Sequence, residues 1–281
     1  MTVPGTNATV YYFQRHQLYE QVKPYLIDYE VENGFPRTNI IPEPHEVFIQ
    51  NLRGVESSFS FDENGFAVLE MQSAMKYEDF DDKTKIKDVY LGEISSCLLS
   101  YFNARAVHIF DFAVRRRHVS YPFQVTSKLP NLQPALQVHV DSSQANLEWM
   151  IRTLNEGEDY EEITKRGCTY ANVWKPLKGP VVDWALAVCD AKSIKSADEF
   201  TSTDVIGDEN GGLSEDLRVS YDQNHKWYYL KDQTPDELIL FRQCDTDRNK
   251  FGCPHTSFSD PAVGAPDYGR ESIEVRALIY H

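Results

Sequence analysis

Hydrophobic and polar positions follow two periods along this chain. Over residues 84–102 apolar side chains recur every three or four positions (Ile86, Val89, Tyr90, Ile94, Leu98, Tyr101), which predicts an amphipathic helix. A second helix is expected over 144–155, with Ser142 and Ser143 placed to cap it. Most other apolar stretches are short and extended. Residues 9–13 and 66–71 predict strands before the first helix, and Asn64-Gly65 is a turn signal that starts the second of them. After the helix, strands are expected at 106–114, 169–174, 184–189, 226–230, 238–243 and 272–280. The polar, proline-bearing stretch 33–45 reads as loop. Many short strands with few helices predict a mainly β sandwich or barrel flanked by helices. We expect a single domain over 1–281: strands and a helix in 1–100 pack on a core built from 101–281 with inserted loops. Substrate specificity is expected in the loops at 30–65, 115–135 and 190–225.

Composition narrows the function. The 281 residues are 41% hydrophobic and 25% charged, ordinary globular values. A formal charge of −15 argues against nucleic acid or an anionic membrane as partner, since phosphate demands the opposite sign. No apolar stretch approaches a bilayer span, and the N-terminus lacks the pattern of a secretory signal, so a cytoplasmic enzyme is expected. Five cysteines, an odd number without a CxxC, predict reduced thiols rather than a disulfide framework or structural zinc site. No Walker A, G-x-G-x-x-G, G-x-S-x-G or H-E-x-x-H motif is present.

Three pieces carry chemistry. In an extended strand His139 and Asp141 project from one face and can converge on one metal. The bland alternative is a buried histidine and a helix-capping aspartate. His255 follows Gly252 and Pro254, which set its approach, and would complete a 2-His-1-carboxylate set of the kind that holds non-haem iron(II). Cys253 could also be read as a ligand, but thiolate suits that chemistry poorly. Near the C-terminus Arg270, Ser272, Glu274 and Arg276 share a strand face, opposite Ile273, Val275 and Ala277. An arginine facing inward needs an anion. The far carboxylate of a dicarboxylate such as 2-oxoglutarate would answer it, at Arg270 with Ser272 or at Arg276; Arg270 is favoured. A solvated edge strand is the rival. Softer candidates for substrate contact are Arg115, Arg117, Asn172, Trp174, Trp227 and Tyr229.

These residues together resemble a known family. The run Arg105 to Phe112 with Arg115-Arg116-Arg117, then His139-Val140-Asp141, Asn172 to Leu177, Asp183-Trp184, Lys226 to Tyr229, Pro254 to Phe258 and Arg270 to Leu278 are similar, in order, to motifs of the gibberellin desaturase and cephem methoxylase-like (CmcJ-like) oxygenases. The match covers most of the chain from about residue 100 onward. The resemblance implies a double-stranded β-helix (jelly-roll, cupin-like) enzyme using iron(II), 2-oxoglutarate and dioxygen to hydroxylate or desaturate an unactivated C–H bond of a small specialised metabolite. It implies iron on His139, Asp141 and His255. Asp141 also speaks against a halogenase, which would carry a small residue there. A homodimer is left open. The rivals are a non-catalytic metal-binding β-barrel and a zinc-dependent hydrolase using the same three ligands.

Overall fold

A computed structural model describes residues 4–29, 31, 34–122, 131–157, 159–207, 212–261, 263 and 268–281. Parts of all three expected specificity loops (30, 32–33, 123–130 and 208–211) lie outside the described residues. The elements run β1 (Thr6–Phe13), β2 (Tyr25–Ile27), β3 (Pro42–Asn51), α1 (Phe61–Asn64), β4 (Phe66–Glu70), α2 (Lys83–Lys85) and α3 (Leu91–Phe102). They continue with β5 (Ala106–Arg116), β6 (His139–Val140), α4 (Gln144–Leu154), α5 (Tyr160–Arg166), β7 (Cys168–Pro176), β8 (Ala185–Cys189) and β9 (Phe200–Ile206). The chain closes with β10 (Leu213–Val219), β11 (Trp227–Tyr229), β12 (Glu237–Asp245), β13 (His255–Phe258) and β14 (Glu271–Tyr280).

The strands form two sheets, of nine in the order β1-β3-β11-β8-β13-β6-β10-β9-β2 and of five in the order β4-β12-β7-β14-β5. The nine-stranded sheet curls, and Tyr11 of β1 bridges to Gln137 just ahead of β6. This is the mainly β sandwich that the patterning predicted and the jelly-roll that the resemblance implied. Between the sheets lie Trp174, Leu186, Val188, Tyr228, Ile239 and Phe241. The outer face of the five-stranded sheet is closed by the predicted helix, whose buried stripe is Ile86, Tyr90, Ile94 and Leu98. These meet Ile273, Val275, Ala277 and Ile279 of β14, the apolar half of its alternation. A π turn over Ile86–Tyr90 lies within that helix, and Val89 and Tyr101 are exposed rather than part of the stripe. Helix α4, capped by Ser143 accepting from the Asn146 amide, packs Leu147, Met150 and Ile151 against Tyr170, Leu278 and Tyr280. It closes the end of the sandwich just beyond Asp141. Gly65 takes the left-handed conformation (φ 79°) that lets β4 start at Phe66, as the turn signal predicted.

Two expectations are corrected. The end of the 33–45 stretch is not loop: Pro42 to His45 belong to β3. Pro42 and Pro44 pair only with β1, because β11 borders β3 at Ile49–Asn51, so their missing N–H groups remove nothing from an interior ladder. The 190–225 stretch, read as loop, contains the β9–β10 hairpin, whose buried positions Thr203, Asp216 and Arg218 are polar and so concealed the strands.

Candidate metal centre and anion site

His139 and His255 come together because β6 and β13 are neighbours that pair directly at these two residues. Their rings lie 4.3 Å apart between centroids. Asp141, two residues past His139, turns its Oδ1 to within 3.1 Å of His139 Nε2 and 3.8 Å of His255 Nε2. One donor atom from each of the three residues lies within 4.8 Å of the others. The close passage of the 251–254 segment depends on Gly252: a Cβ there would sit 2.3 Å from Gln243 O and 2.6 Å from Val140 Cγ1.

Each imidazole is oriented by its own backbone. His139 Nδ1 donates to Gln137 O at 2.8 Å, and His255 Nδ1 donates to Cys253 O at 3.2 Å. A carbonyl only accepts, so the proton sits on Nδ1 and the Nε2 lone pairs face Asp141. Burial, reinforced by His139, pushes His255 down to about 3, so its ring is neutral. Burial alone would raise Asp141, but Arg276 and the two histidines hold its carboxyl well below the usual range. Two lone pairs and a carboxylate facing one another repel; a divalent cation among them turns the repulsion into ligation, so the donor set fits a metal. The other carboxylate oxygen is already held. Asp141 Oδ2 accepts from Asn172 Nδ2 at 2.7 Å and from Arg276 Nε at 3.3 Å, while Gln243 Oε1 accepts from the Asp141 amide at 2.7 Å.

Arg276 of β14 and Arg270, the residue just ahead of that strand, differ sharply. Arg276 also donates to Asp111 at 2.6 Å and to Glu274 at 3.0 Å, so carboxylates surround it. Among the described residues, Arg270 has no carboxylate hydrogen-bonded to its guanidinium. Its Nη1 donates to Trp184 O at 2.6 Å, its charge lies 5.5 Å from the Trp174 ring centre, and its backbone amide donates to Asp183 at 2.8 Å. Trp184 is held at φ 45°, uncommon for a bulky residue, and its carbonyl meets the guanidinium. Arg270 Nε and Ser272 Oγ are buried without partners among the described residues. Burial, with Arg115 next, depresses Arg270 to about 10. One cavity is lined by Arg115, His139, Trp174, His255, Arg270 and Glu274, so the unpaired guanidinium and the two imidazoles open onto the same space.

The softer candidates divide. Arg115 and Trp174 border that cavity, and Asn172 reaches Asp141 instead of the open space. Arg117 is paired with Asp183. Trp227 donates to Tyr12 Oη at 2.7 Å within a core cluster, and Tyr229 packs on Phe258; neither borders the cavity. Cys253 is fully buried with its thiol on Cys189 O, turned away from any ligand role. Gln243 and Asp183 were missed from sequence. The available signal was a polar residue interrupting a buried apolar strand, as Gln243 does in β12.

A jelly-roll sandwich holding two histidines and a carboxylate between its sheets is the class of non-haem iron enzymes with an open face for co-substrate and oxygen. Comparison with known proteins then narrows it. Residues 10–280 match the family model described as Oxidoreductase/YMDC permease-like domain. Among the described residues no helix is long and apolar enough to cross a membrane. The chain is 30% identical over 259 residues to the alpha-ketoglutarate-dependent dioxygenase tstK of Talaromyces stipitatus, covering 90% of each. It is 30% identical over 252 residues to the hydroxylase/desaturase efuI of Hormonema carpetanum, covering 83% of each. The solved structure of the iron and alpha-ketoglutarate-dependent endoperoxidase NvfI superposes with a TM-score of 0.83 at 25% identity, over 99% of this chain and 98% of that one. The chain belongs to the Fe(II)/2-oxoglutarate-dependent dioxygenases, a family of oxidoreductases with hydroxylases and desaturases among its fungal members.

Proposed function

We propose that His139, Asp141 and His255 hold the iron and that Arg270, assisted by Ser272, takes the distal carboxylate of 2-oxoglutarate. Arg276 then serves a different purpose, fixing Asp141 through its Oδ2. The single observation that carries this reading is the buried guanidinium Nε of Arg270, unpaired beside the unpaired Ser272 hydroxyl, in the cavity shared with both histidines. A buried charge without a counter-charge is costly, and a dicarboxylate co-substrate supplies the missing partner through charge-assisted bonds.

When bound, iron(II) supplies the redox chemistry that couples decarboxylation of 2-oxoglutarate to succinate with oxidation of an unactivated C–H bond. The chain's own residues do the rest. The Gln137 and Cys253 carbonyls keep both imidazoles in the ligating tautomer. Asn172 and Arg276 occupy one oxygen of Asp141 and leave the other for the metal. Phe241, whose ring packs edge-on to His255 at 4.7 Å, and Trp174 exclude water from the interior side. We read residues 1–281 as one catalytic unit acting in the cytoplasm on a small metabolite, without a nucleic-acid or membrane partner.

The test is iron-dependent turnover. Purified protein with iron(II), 2-oxoglutarate and oxygen should form succinate, and succinate should not form with zinc(II) in place of iron. Succinate formation independent of iron, or none with any substrate of a metabolite library, would overturn the reading and favour the metal-binding or hydrolase rivals.

A further inference from the structure

The chain inserts the β9–β10 hairpin between β8 and β11, and that hairpin widens the sheet beyond β6. Its register places Arg218 directly opposite His139, and Thr201 opposite Arg218. Opposed residues in an antiparallel pair project from one face with Cβ atoms about 4.5–5.5 Å apart. The Arg218 stem is therefore a neighbour of the His139 imidazole, on the face that carries the metal ligands. Asp216 shares that face through the two-residue period and Ser220 directly follows the strand, while Leu217 and Val219 pack into an apolar cluster on the other face.

These three polar residues are almost wholly buried, with exposures of 6% for Arg218, 7% for Asp216 and 3% for Ser220. Arg218 Nη2 donates to Asp216 Oδ2 at 2.7 Å, and Nη1 donates to Gln137 Oε1 at 3.4 Å. Those bonds leave three atoms unanswered: Arg218 Nε, Asp216 Oδ1 and the Ser220 hydroxyl have no partner among the described residues. Buried polar groups are normally paired, and each lone one is destabilising. Three together along the end of β10 and just past it, with Arg218 directly opposite His139, mark a place where a ligand completes the bonding. The set offers a donor, an acceptor and a hydroxyl, and the Arg218–Asp216 pair is close to neutral as a unit. An anion would meet the Asp216 carboxylate, and a cation would meet the Arg218 guanidinium. A neutral hydroxyl suits both, accepting from Arg218 Nε and donating to Asp216 Oδ1.

We infer that this face of β10 is a substrate subsite that grips a neutral hydroxyl group, and so that the enzyme's substrate is an alcohol oxidised at a carbon close to that hydroxyl. The inference rests on the metal reading of His139, Asp141 and His255. It is tested with three probes of one size: cyclohexanol, methoxycyclohexane and cyclohexanecarboxylate. Their binding to zinc(II)-loaded, 2-oxoglutarate-bound protein is followed by ligand-observed NMR. Wild type should prefer the alcohol at least tenfold over the ether and the carboxylate. The double variant Asp216→Leu/Arg218→Met removes both charges together, and in it the preference should fall to within about twofold; Ser220→Ala should reduce it about threefold. Absence of alcohol preference in wild type, or its survival in the double variant, overturns the inference. If the double variant does not fold, Arg218→Lys and Ser220→Ala decide, and an unchanged preference in both overturns it. The visible band that iron(II) and 2-oxoglutarate form anaerobically separates the two readings. Its absence from wild type defeats the metal and co-substrate reading, whereas its persistence in the β10 variants with lost alcohol preference supports the subsite.

Discussion

Arg276 lies within β14 and Arg270 immediately precedes it, six positions apart on one alternating register, yet their surroundings are opposite. Arg276 is enclosed by Asp141, Glu274 and Asp111; burial would lower it, but Asp141 and Glu274 hold it well above the ordinary arginine value. Arg270 meets a carbonyl and a tryptophan ring, and burial, with the like charge of Arg115 second, depresses it to about 10. Internal pairing marks a structural cation. The missing counter-charge marks one that waits for an anion from outside. On the proposed reading the two arginines have different tasks, Arg270 with the co-substrate and Arg276 with the carboxylate that would ligate the metal.

The largest effect falls where both tasks converge. Asp141→Ala should abolish high-affinity metal binding and reduce turnover by at least about a thousandfold, measured by metal content after dialysis and by succinate formation; retained iron would break the ligand assignment. Next, Arg270→Ala removes a desolvated ionic contact of about 2–5 kcal/mol and should raise the 2-oxoglutarate KM on the order of a hundredfold with metal affinity little changed. Arg270→Lys should recover part of that loss. Asn172→Ala and Arg276→Met act through the orientation of Asp141, so each should weaken iron binding about 10- to 100-fold, with a smaller change in co-substrate KM.

The smallest effect is on stability without metal. His255 is depressed to about 3 against an unfolded value near 6.5, so the unfolded chain binds the extra proton between those limits. Stability from this group is complete above about pH 6.5 and falls as pH drops toward 3, by at most about 1.4 kcal/mol per unit. Asp141, depressed in the fold, adds a further loss at lower pH as its carboxylate is protonated. The melting temperature of metal-free protein should therefore decline on acidification below pH 6.5, and His255→Gln should flatten that decline. An unchanged slope in the variant would show that His255 titrates normally.

Much of this was legible because local rules agreed with the fold. The alternation of β14 separated Ser272, Glu274 and Arg276 from Ile273, Val275 and Ala277, and the structure turns the first set inward and the second onto α3. The stripe Ile86, Tyr90, Ile94 and Leu98 announced the helix that covers it. What was not legible depended on partners far away in sequence. Nothing near Asn172 indicates that it holds Asp141, a contact made only when β7 faces β6 across the interior. The choice between the two arginines likewise rested on Asp111, Trp184 and Arg115, brought in by β5 and the segment ahead of β8. Strands β9 and β10 escaped detection because Thr203, Asp216 and Arg218 make their buried face polar, and the period-two signal assumes that buried means apolar.

The central claim is the division of labour between the two arginines, and anaerobic titration of 2-oxoglutarate into the iron(II)-loaded protein tests it most directly. The visible metal-to-ligand band reports binding in wild type, Arg270→Ala and Arg276→Met, with iron held at saturation. The account predicts a half-saturation raised on the order of a hundredfold in Arg270→Ala and within about threefold of wild type in Arg276→Met. A large increase in Arg276→Met with Arg270→Ala unchanged would contradict it and reverse the two roles.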